Sequence, residues 1–217
     1  MGLAIVPMSI DDSIASEQGC NMACMAVPWL LSLGFSIVFS ALFSKIWRIN
    51  QIVRNSRNFQ RVKVKIHHVM IPFFVIFVAN VALLTTWTLV APLVWVRELD
   101  EGYEGCGLDS YGFCSFDGDV TSISLAISLL VVNFAALVLA LVQLFRARNV
   151  PVEYSETRYI AIAIGSSLQV FLTGLPILLL VNDSPELLYF VKVSLVFVIA
   201  MSILLLIFLP KMFLLSN

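Results

Sequence analysis

Four cysteines, Cys20, Cys24, Cys106 and Cys114, are the residues of this chain best equipped for covalent chemistry. In an oxidising compartment an even set of cysteines forms disulfides, and four cysteines allow three pairings. The only histidines, His67 and His68, lie in a separate segment, so a zinc site built with them is disfavoured. Other chemistry is scarce. The chain has no glycine-rich phosphate loop, no HExxH or GxSxG motif and no paired carboxylate within an apolar run. Neither an enzyme nor a cofactor is implied.

The elements that hold these cysteines follow from composition. Of 217 residues, 60% are hydrophobic and only 12% are charged. A soluble domain is about 25% charged, so this chain has too little charge to solvate a globular surface. Soluble enzymes and nucleic-acid binders are excluded on that ground. About 20 consecutive apolar residues cross a bilayer as a helix. Five stretches qualify, at about 22–47, 67–96, 120–146, 157–181 and 187–210. The expectation is an all-α membrane protein with five transmembrane helices. Lys192 is the one charge deep within a run, near its start, where it can snorkel to the interface. So few intramembrane charges weigh against a transporter or proton pump. The uncharged polar residues in the spans, among them Asn80, Thr85, Thr86, Asn133, Ser166, Ser167 and Thr173, suit hydrogen bonds between helices.

Charge placement orients the spans. Eleven of the 13 basic residues fall on one side of the spans, and 12 of the 14 acids fall on the other. Lys and Arg accumulate on the cytoplasmic side. The N-terminus is therefore expected outside and the C-terminus in the cytoplasm. All four cysteines then lie in or beside outer segments, where disulfides persist. A bond from the Cys20/Cys24 region to the 97–119 loop would fasten that loop over the bundle. The inner loop after span one carries Lys45, Arg48, Arg54, Arg57, Arg61, Lys63 and Lys65 with no acid among them. Such a loop serves topogenesis and attraction to anionic lipid, or docks an acidic cytosolic partner. Charge alone does not separate the two.

Several segments resemble class C (family 3) G-protein-coupled receptors, most closely the metabotropic GABA-B type. Cys24-Met-Ala-Val-Pro-Trp29-Leu-Leu-Ser-Leu-Gly34-Phe35, continuing to Phe43-Ser44-Lys45-Ile46-Trp47-Arg48, is similar to the third helix of that family. Phe208-Leu209-Pro210-Lys211-Met212 is similar to the end of its seventh helix. Tyr111–Ser115 resembles the cysteine-bearing end of the second outer loop, and Ser155–Ile160 the start of the sixth helix. Residues 20–213 would form the receptor-like transmembrane domain, and 214–217 a stub of cytoplasmic tail. Residues 1–19 would be a partial second helix and the first outer loop. On this resemblance the chain is a fragment or truncated product, without two helices and the bilobed agonist-binding domain. It departs from the GABA-B pattern at Ala91, where an acid precedes the proline, and at Ser40, where glycine is common.

The resemblance implies roles. Cys24 and Cys114 match the family's bond between the third helix and the second outer loop; Cys20 and Cys106 have no such match and could form a second bond. Lys45 matches a lysine paired with an acid at the inner end of the sixth helix, a position held here by Glu156. That pair would act as an ionic switch. Arg48, Arg54, Arg57, Arg61, Lys63 and Lys65 of one inner loop, with Arg146 and Arg148 of the next, would contact a heterotrimeric G protein. Class C receptors form homo- or heterodimers in the plasma membrane, so a receptor partner is also implied, alongside membrane lipid and no nucleic acid. The competing reading is a small channel or transporter subunit, or a structural membrane protein.

Overall fold

The structure, a computed structural model, describes residues 1–57, 66–99, 110–116, 120–146, 155–181 and 185–216. Five long helices carry the apolar runs: α2 (Glu17–Arg57), α3 (Ile66–Val90), α4 (Val120–Arg146), α5 (Ser155–Leu180) and α6 (Pro185–Ser216). Each contains a segment long and apolar enough to cross a membrane. A 3-10 turn at Gly2–Ala4 and a short α1 (Ile5–Met8) precede them.

Hydrocarbon offers no water, so polar side chains in these helices find partners on their own backbone. Thr85 and Thr86 hydroxyls donate to Val81 and Ala82 carbonyls, and Ser167 and Thr173 donate to Ala163 and Gln169. For these residues the expected interhelical bonds are replaced by bonds one turn back. Pro28 and Pro176 sit inside α2 and α5. Neither breaks its helix, a tolerance common in membrane spans.

The second span ends earlier than its apolar run. Helix α3 stops at Val90, not near residue 96. Pro92 follows two residues later, cannot donate a backbone N–H and turns Ala91 away from helical geometry. Val94–Leu99 then runs extended as β1 and pairs antiparallel with β2 (Ser110–Ser115), Trp95 facing Cys114 and Arg97 facing Gly112.

Two buried apolar clusters hold the helices together. The one near the hairpin joins Cys24, Met25, Leu84, Trp87, Leu93 and Leu129. The other lies toward the far ends of the helices and includes Phe39, Phe43, Ile46, Leu137, Leu144 and Ile160. A ladder of rings, Phe35, Phe39, Phe43 and Trp47, runs down α2 at four-residue spacing with centroids 5.7 to 5.8 Å apart. Helix α6 packs chiefly on α5, where Leu195 lies over Gly174 so closely that a methyl there would collide with it.

Candidate functional site

The hairpin is bolted to the bundle at one end. Cys24, in the second turn of α2, is disulfide-bonded to Cys114 of β2, with Cα atoms 5.7 Å apart, within the usual disulfide range. The side chains of Trp95, Arg97 and Cys114 share one hairpin face, the face toward which a Cβ on Gly112 would point. Asn21, one turn before Cys24, accepts the Trp95 backbone N–H at 2.6 Å. Arg97 forms an ion pair with Asp12 at 2.7 Å. Both partners are partly exposed, so this pair orients the loop more than it stabilises it. The Leu93 backbone N–H points at Met25 Sδ, 3.1 Å away.

Two tryptophans tie α3 to its neighbours beneath the hairpin. Trp87 Nε1 donates to Ser122 Oγ at 2.8 Å, and Ser122 in turn donates to the Ala91 carbonyl at 3.3 Å. That carbonyl lies just past the end of α3, where backbone acceptors lack helical donors. Trp29 Nε1 donates to Thr88 Oγ1 at 3.0 Å, joining α2 to α3. The Trp87 ring also stacks on Phe116, just past β2.

Gly112 owes its place to space. A Cβ there would enter the Trp95 indole, which lies across the strand. We expect Gly112→Val to displace Trp95, at a cost of about 1–3 kcal/mol from overpacking. Maleimide labelling of non-reducing gel samples should then show a lower yield of the Cys24–Cys114 bond.

Of the other cysteines, Cys20 is buried and carries a free thiol, with Sγ 3.9 Å from the Ala15 carbonyl. Cys20 and Cys24 stand four residues apart on one face of α2, and it is Cys24 that carries the bond to β2. Cys106 itself lies outside the described residues, as do Arg61, Lys63, Lys65 and Arg148.

The far end of the bundle carries the remaining candidates. Lys45 is partly buried on α2, beside fully buried Ile46. Glu156 is the second residue of α5, one turn before Ile160. Ile46 and Ile160 belong to one buried cluster together with Ala140 and Leu144 of α4, which packs on both helices. Arg48, Arg54 and Arg57 fall in the last turns of α2, and Arg146 ends α4. The side chains of these four and of Glu156 lie outside the described residues. Between the two ends, a cavity of about 370 Å³ opens among α2, α4, α5 and α6. Phe35, Leu129 and Val196 line it, with Ser32, Asn133, Ser167 and Lys192 as polar points.

A family model described as "7 transmembrane sweet-taste receptor of 3 GCPR" matches residues 3–211, nearly the whole chain. The chain belongs to the class C G-protein-coupled receptor family. Relatives agree. The gamma-aminobutyric acid type B receptor subunit 2 of Caenorhabditis elegans is 30% identical over 97 residues, 44% of this chain and 11% of that protein. The Homo sapiens subunit of the same name is 26% identical over 90 residues, 42% of this chain and 10% of that protein. Metabotropic glutamate receptor-like protein E of Dictyostelium discoideum is 44% identical over 41 residues, 19% of this chain and 5% of that protein. The matched stretch thus covers about a tenth of the GABA-B relatives. This class C receptor chain is an integral membrane protein, and its Cys24–Cys114 bond joins its first long helix to the β1–β2 hairpin.

Reading residues alone missed the Asp12–Arg97 pair and the Asn21 anchor. A signal for the first existed: Arg97 is one of only two bases that depart from the charge rule. An isolated base among acids invites a local partner. Nothing in the spacing marks Asn21.

Proposed function

We propose that this chain is a GABA-B receptor-like signalling module that relays a conformational change at its outer loop to a heterotrimeric G protein in the cytoplasm. The observation that carries the reading is the covalent anchor of the hairpin on α2. A displaced hairpin must pull on α2, and α2 continues without a break for 41 residues to the basic segment. A push at one end becomes a shift at the other, because packed helices move as rigid elements.

The disulfide end faces the oxidising exterior and the basic end the cytoplasm, which puts the N-terminus outside and the C-terminus inside the plasma membrane. Charge sorting and the disulfide support this orientation independently. Lys45, on the last turns of α2, and Glu156, at the start of α5, form the ionic switch. Arg48, Arg54, Arg57, Arg61, Lys63, Lys65, Arg146 and Arg148 attract an acidic face of the G protein. The module works non-enzymatically, as one member of a receptor homo- or heterodimer.

Nucleotide exchange on a purified heterotrimeric G protein tests the reading. Membranes containing the wild-type protein should accelerate exchange, more strongly at low salt. Replacing Arg54, Arg57, Arg61, Lys63 and Lys65 together with Gln should remove most of that acceleration and its salt dependence. Equal exchange by both proteins at equal expression would overturn the docking role.

A further inference from the structure

Three buried polar side chains stand apart from both the hairpin anchor and the basic end. Ser36 and Asn80 are fully buried and Asn133 is 9% exposed, and they come from α2, α3 and α4 respectively. Asn80 Nδ2 donates to Ser36 Oγ at 3.1 Å and to Asn133 Oδ1 at 3.4 Å. Asn133 Nδ2 donates back to Asn80 Oδ1 at 3.1 Å. Each amide also bonds its own helix, at the Ile76 and Leu129 carbonyls, and Ser36 donates to the Ser32 carbonyl.

Their level in the bundle is the second observation. Leu84 and Leu129, one turn toward the hairpin, belong to the cluster beneath it. Phe39 and Leu137, one turn the other way, belong to the far cluster, against which Ile76 packs. The polar triad therefore lies at the seam between the two apolar clusters. Along α2 it stands about 18 Å below Cys24 and about 14 Å above Lys45 at 1.5 Å per residue.

We infer that Ser36, Asn80 and Asn133 are positioning residues that hold α2, α3 and α4 in one rotational setting and join the two ends of the bundle into one block. Apolar contacts tolerate repacking, because one methyl can replace another. A reciprocal amide pair does not. Turning one helix by a single residue rotates its side chains by about 100° and parts the two amides. Both would then sit in hydrocarbon without water to replace the lost partners. A buried polar group that specifies register is the best-attested use of such residues. The inference goes beyond the receptor reading, and its test does not use signalling.

The test measures helix setting separately from stability. Nitroxide labels on Ile71→Cys of α3 and Val142→Cys of α4, in a Cys20→Ala, Cys106→Ser background, report the α3–α4 distance by pulsed electron resonance. The otherwise unchanged protein should give one narrow distance. Asn80→Leu removes the interhelical partner of Asn133 and Ser36 and leaves the Asn133 carbonyl oxygen without a donor; it should lower the thermal midpoint by several degrees and split the distance into more than one population. The double variant Asn80→Leu/Asn133→Leu leaves no orphaned amide. It should recover most of the midpoint and keep the split distances. A single narrow distance in the double variant would show that apolar packing alone sets the helices, and would overturn the inference. Should the double variant fail to fold, Ser36→Ala with labels on Ala41→Cys and Ile71→Cys gives the same decision for α2 and α3. Broadening supports the inference and an unchanged distance overturns it.

Discussion

Breaking the Cys24–Cys114 bond should lower the thermal midpoint of the detergent-solubilised protein by about 5–10 °C. The bond closes a loop across 90 residues of sequence. In the chain-entropy account a loop of that size is worth about 4–5 kcal/mol in a free chain. Helices that stay inserted after unfolding have less freedom to lose, so about 2–4 kcal/mol is the better expectation. For a chain of this length each kcal/mol moves the midpoint by about 2–4 °C. Cys114→Ser should show the shift, and adding reductant to the wild type should reproduce it. Reductant should then leave the Cys114→Ser midpoint unmoved, because Cys20 is already a free thiol. Hydrogen exchange should localise the loss to Val94–Leu99 and Ser110–Ser115, whose ladder stands over the bundle on this anchor. Far-end amides around Phe43 and Leu144 should keep their protection. Uniform loss of protection would mean that the bond holds the whole fold and not the hairpin alone.

The second large effect concerns Lys45 and Glu156. If they pair in the resting state, reversing either charge removes an attraction and places like charges at the inner boundary, where screening is weaker than in bulk water. Lys45→Glu should raise agonist-independent nucleotide exchange by at least about fivefold, the lower end of typical coupling between conformational states. Glu156→Lys should do the same. The double exchange Lys45→Glu/Glu156→Lys restores opposite charges and should return exchange toward the wild-type level. This return distinguishes a pair from two independent roles, because double-mutant cycles isolate the interaction. If Glu156 serves only the helix dipole at the start of α5, Glu156→Lys weakens the helix end by a fraction of a kcal/mol and Lys45→Glu gives no rescue.

Much of the fold is legible in the residues because the bilayer imposes one rule on every span. Charge-free runs longer than about 20 residues have few alternatives. The end of α3 is not legible in the same way. Val94, Trp95 and Val96 continue the apolar run, and a short apolar stretch reads equally as helix or strand. Only Pro92 marks the break. Cysteine spacing leaves three pairings open, and the family resemblance, not geometry, points to Cys24 with Cys114. Asn80 and Asn133 are recognisable as interhelical donors. Their mutual pairing, and the seam they occupy between two clusters, depend on the rotation of each helix and emerge only in three dimensions.

The relay from the outer hairpin to the cytoplasmic face is the central claim, and one measurement addresses it directly. Nucleotide exchange on a heterotrimeric G protein is recorded for wild-type and Cys114→Ser proteins in native membranes, normalised to inserted protein. Cutting the anchor at one face should change exchange at the other, by uncoupling the hairpin from α2. Identical exchange by the two proteins, both above membranes lacking the chain, would contradict the relay.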